Sequence, residues 1–258
     1  MQQRTQMKGN HMKTLLTTTA GAAFAALTLF VTPAMAVEVV SPAVTIPALT
    51  DLAKTYPGTK VNLVTTELLN VQKTAEGVPT DLVFSTAELM DGMKADIAPG
   101  SIQKIGRARI MLAVRTGSPH PDISTAAKFI AVLKSAQNVV HSDLDPSRGS
   151  LAARLMDQLL KRPEFAGVHH SISKHVNGVG GLLAGEGDMA LQFEAEILAT
   201  PGTEVVGPVP AEFGAYADLA VGQMAKAPDP AGAKAFTAYI TRPEAAAVWK
   251  ARGLVPVP

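Results

Sequence analysis

The sequence contains no cysteine, and aromatic residues make up only 5% of its 258 residues. Without cysteine the chain can form no disulfide, thiolate nucleophile or cysteine-ligated metal site. The single tryptophan, Trp249, and Tyr239 fall on predicted helical faces, so we expect them to be core residues rather than binding platforms. Stability must therefore come from a buried apolar core, which a chain of this length can form.

The chain also lacks an excess of charge of either sign, with 23 Lys and Arg against 22 Asp and Glu. Arg4, Lys8 and Lys13 precede residue 37, whereas no acidic residue does. Residues 37–258 thus carry 20 basic and 22 acidic side chains, a net charge of −2. This balance favours neither nucleic acid nor a membrane surface as a partner.

Long apolar runs are absent except near the start, at residues 15–31. A basic segment precedes this run and the small-x-small sequence Ala34-Met35-Ala36 follows it, which is typical of a secretory signal peptide. We predict a signal peptide over residues 1–36, cleavage after Ala36 and export to the periplasm. The alternative to cleavage is that the segment is retained as a membrane anchor, and Met12 is an alternative start of the chain. No later segment is apolar and long enough to cross a bilayer.

Apolar periodicity in the remaining chain switches repeatedly between about 2 and about 3.6 residues, which is typical of alternating strands and helices. The predicted strands are 37–41, 60–65, 81–85, 107–116, 138–142, 188–193 and 203–210, with amphipathic helices between most of them. This order predicts an α/β fold with mostly parallel sheets flanked by helices. Two helices broken at Arg242-Pro243 and capped by Gly253 are predicted to end the chain.

The β-α pattern repeats after the turn Gly117-Ser118-Pro119, which suggests two lobes joined by two crossing strands. We predict that residues 37–115 and 206–258 form lobe 1 and that residues 116–205 form lobe 2. The cleft between the lobes is the predicted site.

The turn SDLDPSRGS, residues 142–150, links the strand near His141 to a helix with Leu151, Leu155 and Leu159 on one face. A helix start exposes unpaired N–H groups and the positive end of the helix dipole, so the favoured guest of this turn is an anion. Ser147 or Ser150 can also cap the helix without contacting any ligand.

The three histidines His169, His170 and His175 cluster on or near one further strand, where the first two point to opposite faces. Such side chains do not converge on one metal ion, so we expect no metal site. We expect no cofactor either.

Five stretches resemble the periplasmic molybdate-binding-like proteins, the type II solute-binding components of ABC transporters, a branch that includes aconitate isomerases. They are SPAVTIPALTDLAKTYPGTKVNLV, GVPTDLVFS, SDLDPSRGS, GEGDMALQF and TRPEAAAVWKARGLVP. Each is weak alone, but their order and spacing behind a signal peptide carry the resemblance over almost all of residues 37–258. The resemblance implies a two-lobed periplasmic-binding-protein type II fold.

The resemblance also implies that hydroxyl and backbone N–H groups at helix starts hold the ligand, with added donors from residues 177–180. Carried over by position, the ligand-binding candidates are Thr45, Thr65, Thr66, Ser147, Arg148, Gly149, Ser150 and Gln192.

Two departures from the family pattern point away from molybdate. The family's oxyanion binders tend to show a serine in the loop at residues 43–45 and Gly-Ser-Ser at residues 65–67. This chain instead has Ala43-Val44-Thr45 in the first loop and Thr65-Thr66-Glu67 in the second. A carboxylate beside a dianion is repelled unless it is protonated or turned away. Arg148 suits a carboxylate, which its planar guanidinium binds through two parallel hydrogen bonds.

We therefore predict a periplasmic receptor that captures a small organic di- or tricarboxylate for an ABC transporter permease, most simply as a monomer. The alternative is an aconitate isomerase in which Glu67 or His141 is the base and Arg148 clamps a carboxylate. A molybdate or tungstate receptor is a second alternative.

Simpler roles stay open for the charged candidates. Arg148 can be a solvated surface residue, and Glu67 can stabilise the dipole of the helix that follows it. Glu194 and Glu196, which follow the strand at 188–193, are predicted to stabilise a helix dipole in the same way.

Overall fold

The computed structural model describes residues 36–142 and 150–255. The predicted signal peptide up to residue 35 lies outside them, as do Ser147, Arg148 and Gly149. Within the described ranges, no helix is both long and apolar enough to span a membrane.

The strands and helices of this part alternate along the first two thirds of the chain, as the periodicity predicts. The strands are β1 (Val37–Pro42), β2 (Val61–Thr66), β3 (Leu82–Thr86), β4 (Gln103–Arg115), β5 (Val139–His141), β6 (His170–Ile172), β7 (Met189–Phe193), β8 (Thr203–Pro208), β9 (Tyr216–Gln223) and β10 (Leu254–Val255). The helices are α1 (Ile46–Thr55), α2 (Val71–Gly77), α3 (Ala87–Gly92), α4 (Ala126–Ser135), α5 (Leu151–Leu160), α6 (Gly178–Leu183), α7 (Glu194–Leu198), α8 (Pro230–Thr241) and α9 (Ala245–Ala251).

The strands pair in the order β2-β1-β3-β9-β4-β7-β5-β6, with β8 and β10 also paired to β4. Pairing is parallel for β2-β1-β3 and for β6-β5-β7, and antiparallel wherever β4 or β9 takes part. Each parallel group follows a β-α-β path, which requires a crossover helix between neighbouring strands. The predicted α/β fold with flanking helices is thereby confirmed, but the sheet is mixed rather than mostly parallel, because each parallel group is extended by antiparallel pairing with β4 or β9.

Strand β4 joins the two parallel groups. Its residues 103–109 pair with β9, and its residues 110–115 pair with β7 and β8. We call β2, β1, β3, β9 and the first part of β4 the first half-sheet, and the second part of β4 with β8, β7, β5 and β6 the second half-sheet. The chain crosses back between β8 and β9, where Val209 donates its N–H to the Ile110 carbonyl at 3.0 Å.

The core forms from the apolar faces that the periodicity predicts. On α5, Leu151, Leu155 and Leu159 are all buried. Trp249 of α9 is buried and lies 6.3 Å from the Phe84 ring of β3, measured between ring centroids. Burial of such large side chains supplies much of the free energy of folding in a chain without disulfides.

The C-terminal segment also follows the prediction. Helices α8 and α9 are separate, and Gly253 after α9 has a φ of +82°, a left-handed conformation that L side chains rarely adopt. The Gly253 backbone approaches the start of α7, where an added Cβ would lie 2.6 Å from the Ala195 nitrogen. This glycine therefore both ends α9 and permits close packing beside the helix that follows β7.

Candidate functional site

A cleft of about 290 Å³ opens where parallel strands of both half-sheets end. In open α/β sheets, ligands bind beyond the carboxyl ends of strands. The lining residues follow five strands: residues 42–44 after β1, 67–68 after β2, Ser142 and residues 150–152 after β5, 176–177 after β6, and Gln192, Phe193 and Glu196 at the end of β7. The cleft thus has walls from both half-sheets.

Helix starts form part of these walls. Ser150 caps α5 by accepting a hydrogen bond from the Ala153 N–H at 3.3 Å, and Leu151 and Ala152 in the first turn of α5 line the cleft. N–H groups in a first helical turn have no acceptor within the helix. The ten-residue helix α5 therefore presents donors and its positive dipole end to an anion in the cleft.

Glu67 brings a carboxyl group to the cleft from the first half-sheet. It stands between β2 and a 3₁₀ turn over Leu68–Asn70, and its own backbone is extended, with φ −72° and ψ 146°. The side chain remains accessible to solvent, but partial burial by the cleft walls raises the pKa of the Glu67 carboxyl above its ordinary value.

Glu196 brings a second carboxyl group from the second half-sheet. Burial is the main cause that raises the pKa of the Glu196 carboxyl, and the nearby charge of Glu67 raises it further. Hydrogen bonds from Gln192 and Asn177 oppose this shift by stabilising the ionised form. Two carboxyl groups with raised pKa values therefore share one cleft.

Gln192 is the polar link between the two cleft-lining turns after β5 and β7. Its side chain is 2% exposed. Its Oε1 accepts a hydrogen bond from Ser142 Oγ at 3.1 Å, and its Nε2 donates to Glu196 Oε2 at 2.5 Å. Both ends of this amide are thus occupied, as a buried polar group requires.

Three predicted ligand residues, Thr45, Thr65 and Thr66, do not line the cleft. Thr45 is fully buried, where its hydroxyl contacts Ser41 Oγ and donates to the Pro42 carbonyl at 2.8 Å. Thr65 is exposed, and Thr66 shares a hydrogen bond with Thr74 at 2.9 Å. Their roles as ligand-binding residues stay predictions.

His141 is fully buried at the end of β5 and does not line the cleft. Its Nδ1 lies 2.8 Å from the Ser142 carbonyl oxygen and its Nε2 lies 2.9 Å from His170 Nδ1. A general base must reach the proton that it removes, and both nitrogens of this ring already have partners. Glu67, Ser150 and Gln192 do line the cleft, whereas Ser147, Arg148 and Gly149 lie outside the described residues.

Sequence reasoning assigned Glu196 only to the dipole of α7 and so missed its place in the cleft. The two acidic residues at the start of α7, Glu194 and Glu196, have different surroundings. Glu194 pairs with Arg109 of β4 at 2.8 Å, whereas Glu196 faces the cleft. The available signal was the spacing of four residues between Gln192 and Glu196 at a strand end that was already a candidate.

No group of three or more His, Asp or Glu side chains that could hold a metal ion occurs in residues 36–142 and 150–255. His170 contacts His141, and His175 lies 3.7 Å from a Glu186 carboxylate oxygen.

Comparison with known proteins gives one family match and several relatives. The family model described as "Bacterial extracellular solute-binding protein" matches residues 37–255. A Pseudomonas aconitate isomerase is 30% identical over 187 residues, which cover 71% of this chain and 70% of that protein.

Solved structures share the fold at low sequence identity. The periplasmic molybdate-binding protein of Azotobacter vinelandii superposes with a TM-score of 0.66 at 18% identity, covering 86% of this chain and 99% of that one. The sulfate-binding protein of Mycobacterium tuberculosis H37Rv superposes with a TM-score of 0.64 at 16% identity, covering 87% of this chain and 88% of that one. These likenesses show a two-lobed periplasmic binding protein fold.

Proposed function

Because the chain belongs to the bacterial extracellular solute-binding protein family, we propose that its cleft binds a small organic acid with several carboxylates and isomerises it by moving a proton. The substrate that fits best is aconitate. The observation that carries this proposal is the pair of carboxyl groups, Glu67 and Glu196, that faces one cleft from two half-sheets.

The cleft combines two features that a simple oxyanion receptor does not need together. Donors at the start of α5 favour an anion, whereas two ionised glutamates would repel it. Raised pKa values lessen this conflict, because they extend to higher pH the range in which a carboxyl group is protonated and donates a hydrogen bond to an anionic ligand. Such groups also titrate nearer to neutral pH, where general acids and bases are most effective.

Isomerisation of aconitate needs one base and one acid. A carboxylate removes a proton from the saturated carbon, the C–H electron pair forms a new double bond, and the original double bond accepts a proton at its far carbon. The proton count is unchanged and no oxidant is needed. Glu67 and Glu196 supply the two carboxyl groups, and the aconitate isomerase relative supports this substrate.

The test mixes purified residues 37–258 with cis- or trans-aconitate and follows the isomer ratio by proton NMR, with thermal unfolding recorded in parallel. We expect interconversion in either direction toward the same ratio. Glu67→Gln and Glu196→Gln should each reduce the rate by about 10²-fold or more. Binding of aconitate without interconversion would contradict the isomerase proposal.

A solute receptor is the second candidate, favoured by the match of residues 37–255 to the extracellular solute-binding family. In this case the protein is exported to the periplasm, closes on an organic acid and delivers it to an ABC transporter permease. Citrate or tricarballylate should then raise the unfolding temperature of the protein, and cis- and trans-aconitate should not be interconverted. Stabilisation by molybdate alone would contradict both candidates.

A further inference from the structure

We propose that Gln192 and Asn177 are positioning residues that hold Glu196 as the proton acceptor of the cleft, with Ser142 setting the orientation of Gln192. This inference rests on the proposed isomerase function, and it goes beyond that function by dividing the two carboxyl groups into a positioned base and a less constrained partner.

The first step is the orientation of Gln192. A side-chain amide can present either its oxygen or its NH₂ group to a neighbour. Here Ser142 Oγ donates to Gln192 Oε1 at 3.1 Å, so the oxygen is occupied on the side away from α7. The NH₂ group must then point toward α7, where Nε2 lies 2.5 Å from Glu196 Oε2.

Asn177 repeats the same arrangement from the turn before α6. Its Oδ1 accepts a hydrogen bond from the Gly180 N–H at 3.0 Å. Its remaining polar group is the NH₂, and the Asn177 amide acts on Glu196 by lowering the pKa of that carboxyl. Both amides thus have an engaged oxygen, and Gln192 Nε2 is the donor that lies within hydrogen-bond distance of the Glu196 carboxylate.

Donors of this kind stabilise the ionised carboxylate and fix its direction. Glu67 has no side-chain hydrogen bond within the described part of the chain, and burial alone raises its pKa. The geometry thus makes Glu196 the better positioned base and leaves Glu67 to carry the proton that is returned.

Three charged groups on β4 and β8, the strands that pack against α7, already have partners. On β4, Arg109 pairs with Glu194 at 2.8 Å and Arg115 donates to the carbonyls of Leu182 and Gly187 at 2.8 and 2.7 Å. On β8, Glu204 lies 2.9 Å from His120. The charge that acts on Glu196 is instead that of Glu67, which raises the pKa of the Glu196 carboxyl.

The test is the Gln192→Met variant, which keeps the side-chain volume but removes the donor. Loss of the donor should raise the pKa of Glu196, so the acidic limb of the pH–rate profile for aconitate should move to higher pH. The rate should also fall by about 10- to 100-fold through lost orientation. Ser142→Ala should produce a smaller change in the same direction, and Ser142→Thr should restore the parent profile.

Asn138→Ala is the matched control, because Asn138 also forms a side-chain amide network in the second half-sheet, with Ser171 Oγ at 2.7 Å and the Glu186 carbonyl at 2.6 Å, away from the cleft. This variant should lose stability without moving the pH profile. An equal shift in Asn138→Ala and Gln192→Met would overturn the positioning role.

Carbon-13 NMR of the glutamate carboxyls in ligand-free protein separates this inference from the proposed function. The Glu196 signal, assigned with Glu196→Gln, should titrate at higher pH in Gln192→Met than in the parent even where the protein shows no isomerase activity. An unchanged midpoint would overturn the positioning role, whereas absent turnover with a raised midpoint would overturn only the isomerase proposal.

Discussion

Glu194 and Glu196 stand two residues apart in α7 and have opposite surroundings. Successive helical residues are rotated by about 100°, so side chains two apart point to nearly opposite sides. Glu194 therefore reaches Arg109 on β4, while Glu196 reaches Gln192 and the cleft. The Glu194 carboxylate stabilises the fold by pairing with Arg109, whereas the Glu196 carboxyl group is partly buried near the carboxyl group of Glu67.

This difference predicts opposite effects of two identical substitutions. The pKa of Glu196 is raised in the folded protein above its ordinary value of 4.5, so folding favours its protonated form. Ionisation of this side chain therefore destabilises the folded protein as the pH rises above the ordinary pKa of a glutamate. Glu196→Gln should be about 1 kcal/mol more stable than the parent at pH 8, with the difference vanishing near pH 4. Urea unfolding at both pH values measures it.

Glu194→Gln is the control for that experiment, since it removes the carboxylate that pairs with Arg109. It should be less stable than the parent at pH 8, and its aconitate activity should exceed that of Glu196→Gln. Equal stability changes in the two variants would mean that Glu196 is not destabilising when ionised.

At the scale of elements, α6 packs directly on the backbone of the second half-sheet. Gly178, its first residue, is buried beside β5 and β7, where an added Cβ would lie 3.0 Å from the His141 Cα and 3.2 Å from the Leu191 carbonyl oxygen. These neighbours are backbone atoms of paired strands and cannot move away easily. The close approach sets the position of the Asn177 turn at the cleft.

Gly178→Ala should therefore destabilise the protein by about 1–3 kcal/mol through overpacking. Gly92→Ala, at the exposed end of α3 where nothing lies within 4 Å of the added Cβ, should be neutral or about 0.5–1 kcal/mol more stable. Denaturant midpoints of the two variants compare the same substitution in a tight and an open place, and similar midpoints would contradict the close packing of α6.

Helix caps offer a second comparison between elements. Asn177 caps α6 at the cleft, and Thr125 caps α4 by accepting from the Lys128 N–H at 3.3 Å, away from the cleft. Asn177→Ala and Thr125→Ala should each destabilise by about 1 kcal/mol. Only Asn177→Ala should also weaken aconitate turnover, because it removes an amide that favours the ionised form of Glu196. A matching loss of turnover in Thr125→Ala would assign the effect to stability alone.

At the scale of the whole molecule, a ligand in the cleft contacts turns from both half-sheets. A ligand that bridges two parts of a fold stabilises their closed arrangement and the folded state together. Saturation at 100 times Kd adds about 2.7 kcal/mol, which corresponds to a rise of roughly 5–10 °C in unfolding temperature for a chain of this size.

The pH dependence of this rise follows from the two cleft glutamates. Both pKa values are raised, so each side chain ionises, and begins to repel an anion, at a higher pH than an ordinary glutamate does. Tricarballylate should therefore stabilise the parent protein more at pH 5.5 than at pH 8, as measured by thermal unfolding. The double variant Glu67→Gln, Glu196→Gln corrects for titration of the ligand itself, and an equal pH dependence in that variant would contradict the role of the glutamates.

The sequence alone determined seven of the ten described strands, because periodicity near 2 and near 3.6 residues depends on local patterns of burial. The strands β9 and β10 were not among those predicted, and β6 was expected near the three histidines without stated bounds. The same local reasoning located the fold class, the break between α8 and α9, and the left-handed Gly253. The family resemblance singled out the positions of Glu67, Ser150 and Gln192, and these three residues, each at the end of a strand or the start of a helix, line the cleft.

Only the tertiary structure decided which side chains at those ends face the cleft. Thr45 and His141 are adjacent to the cleft turns in sequence but point into the interior, whereas Glu196 points out of the α7 start into the cleft. The direction of such a side chain depends on how each helix leaves its strand and on the neighbours that satisfy buried polar groups. Those neighbours, Ser142 and Gln192 for Glu196, are 50 residues apart along the chain and are brought together by the pairing of β5 with β7.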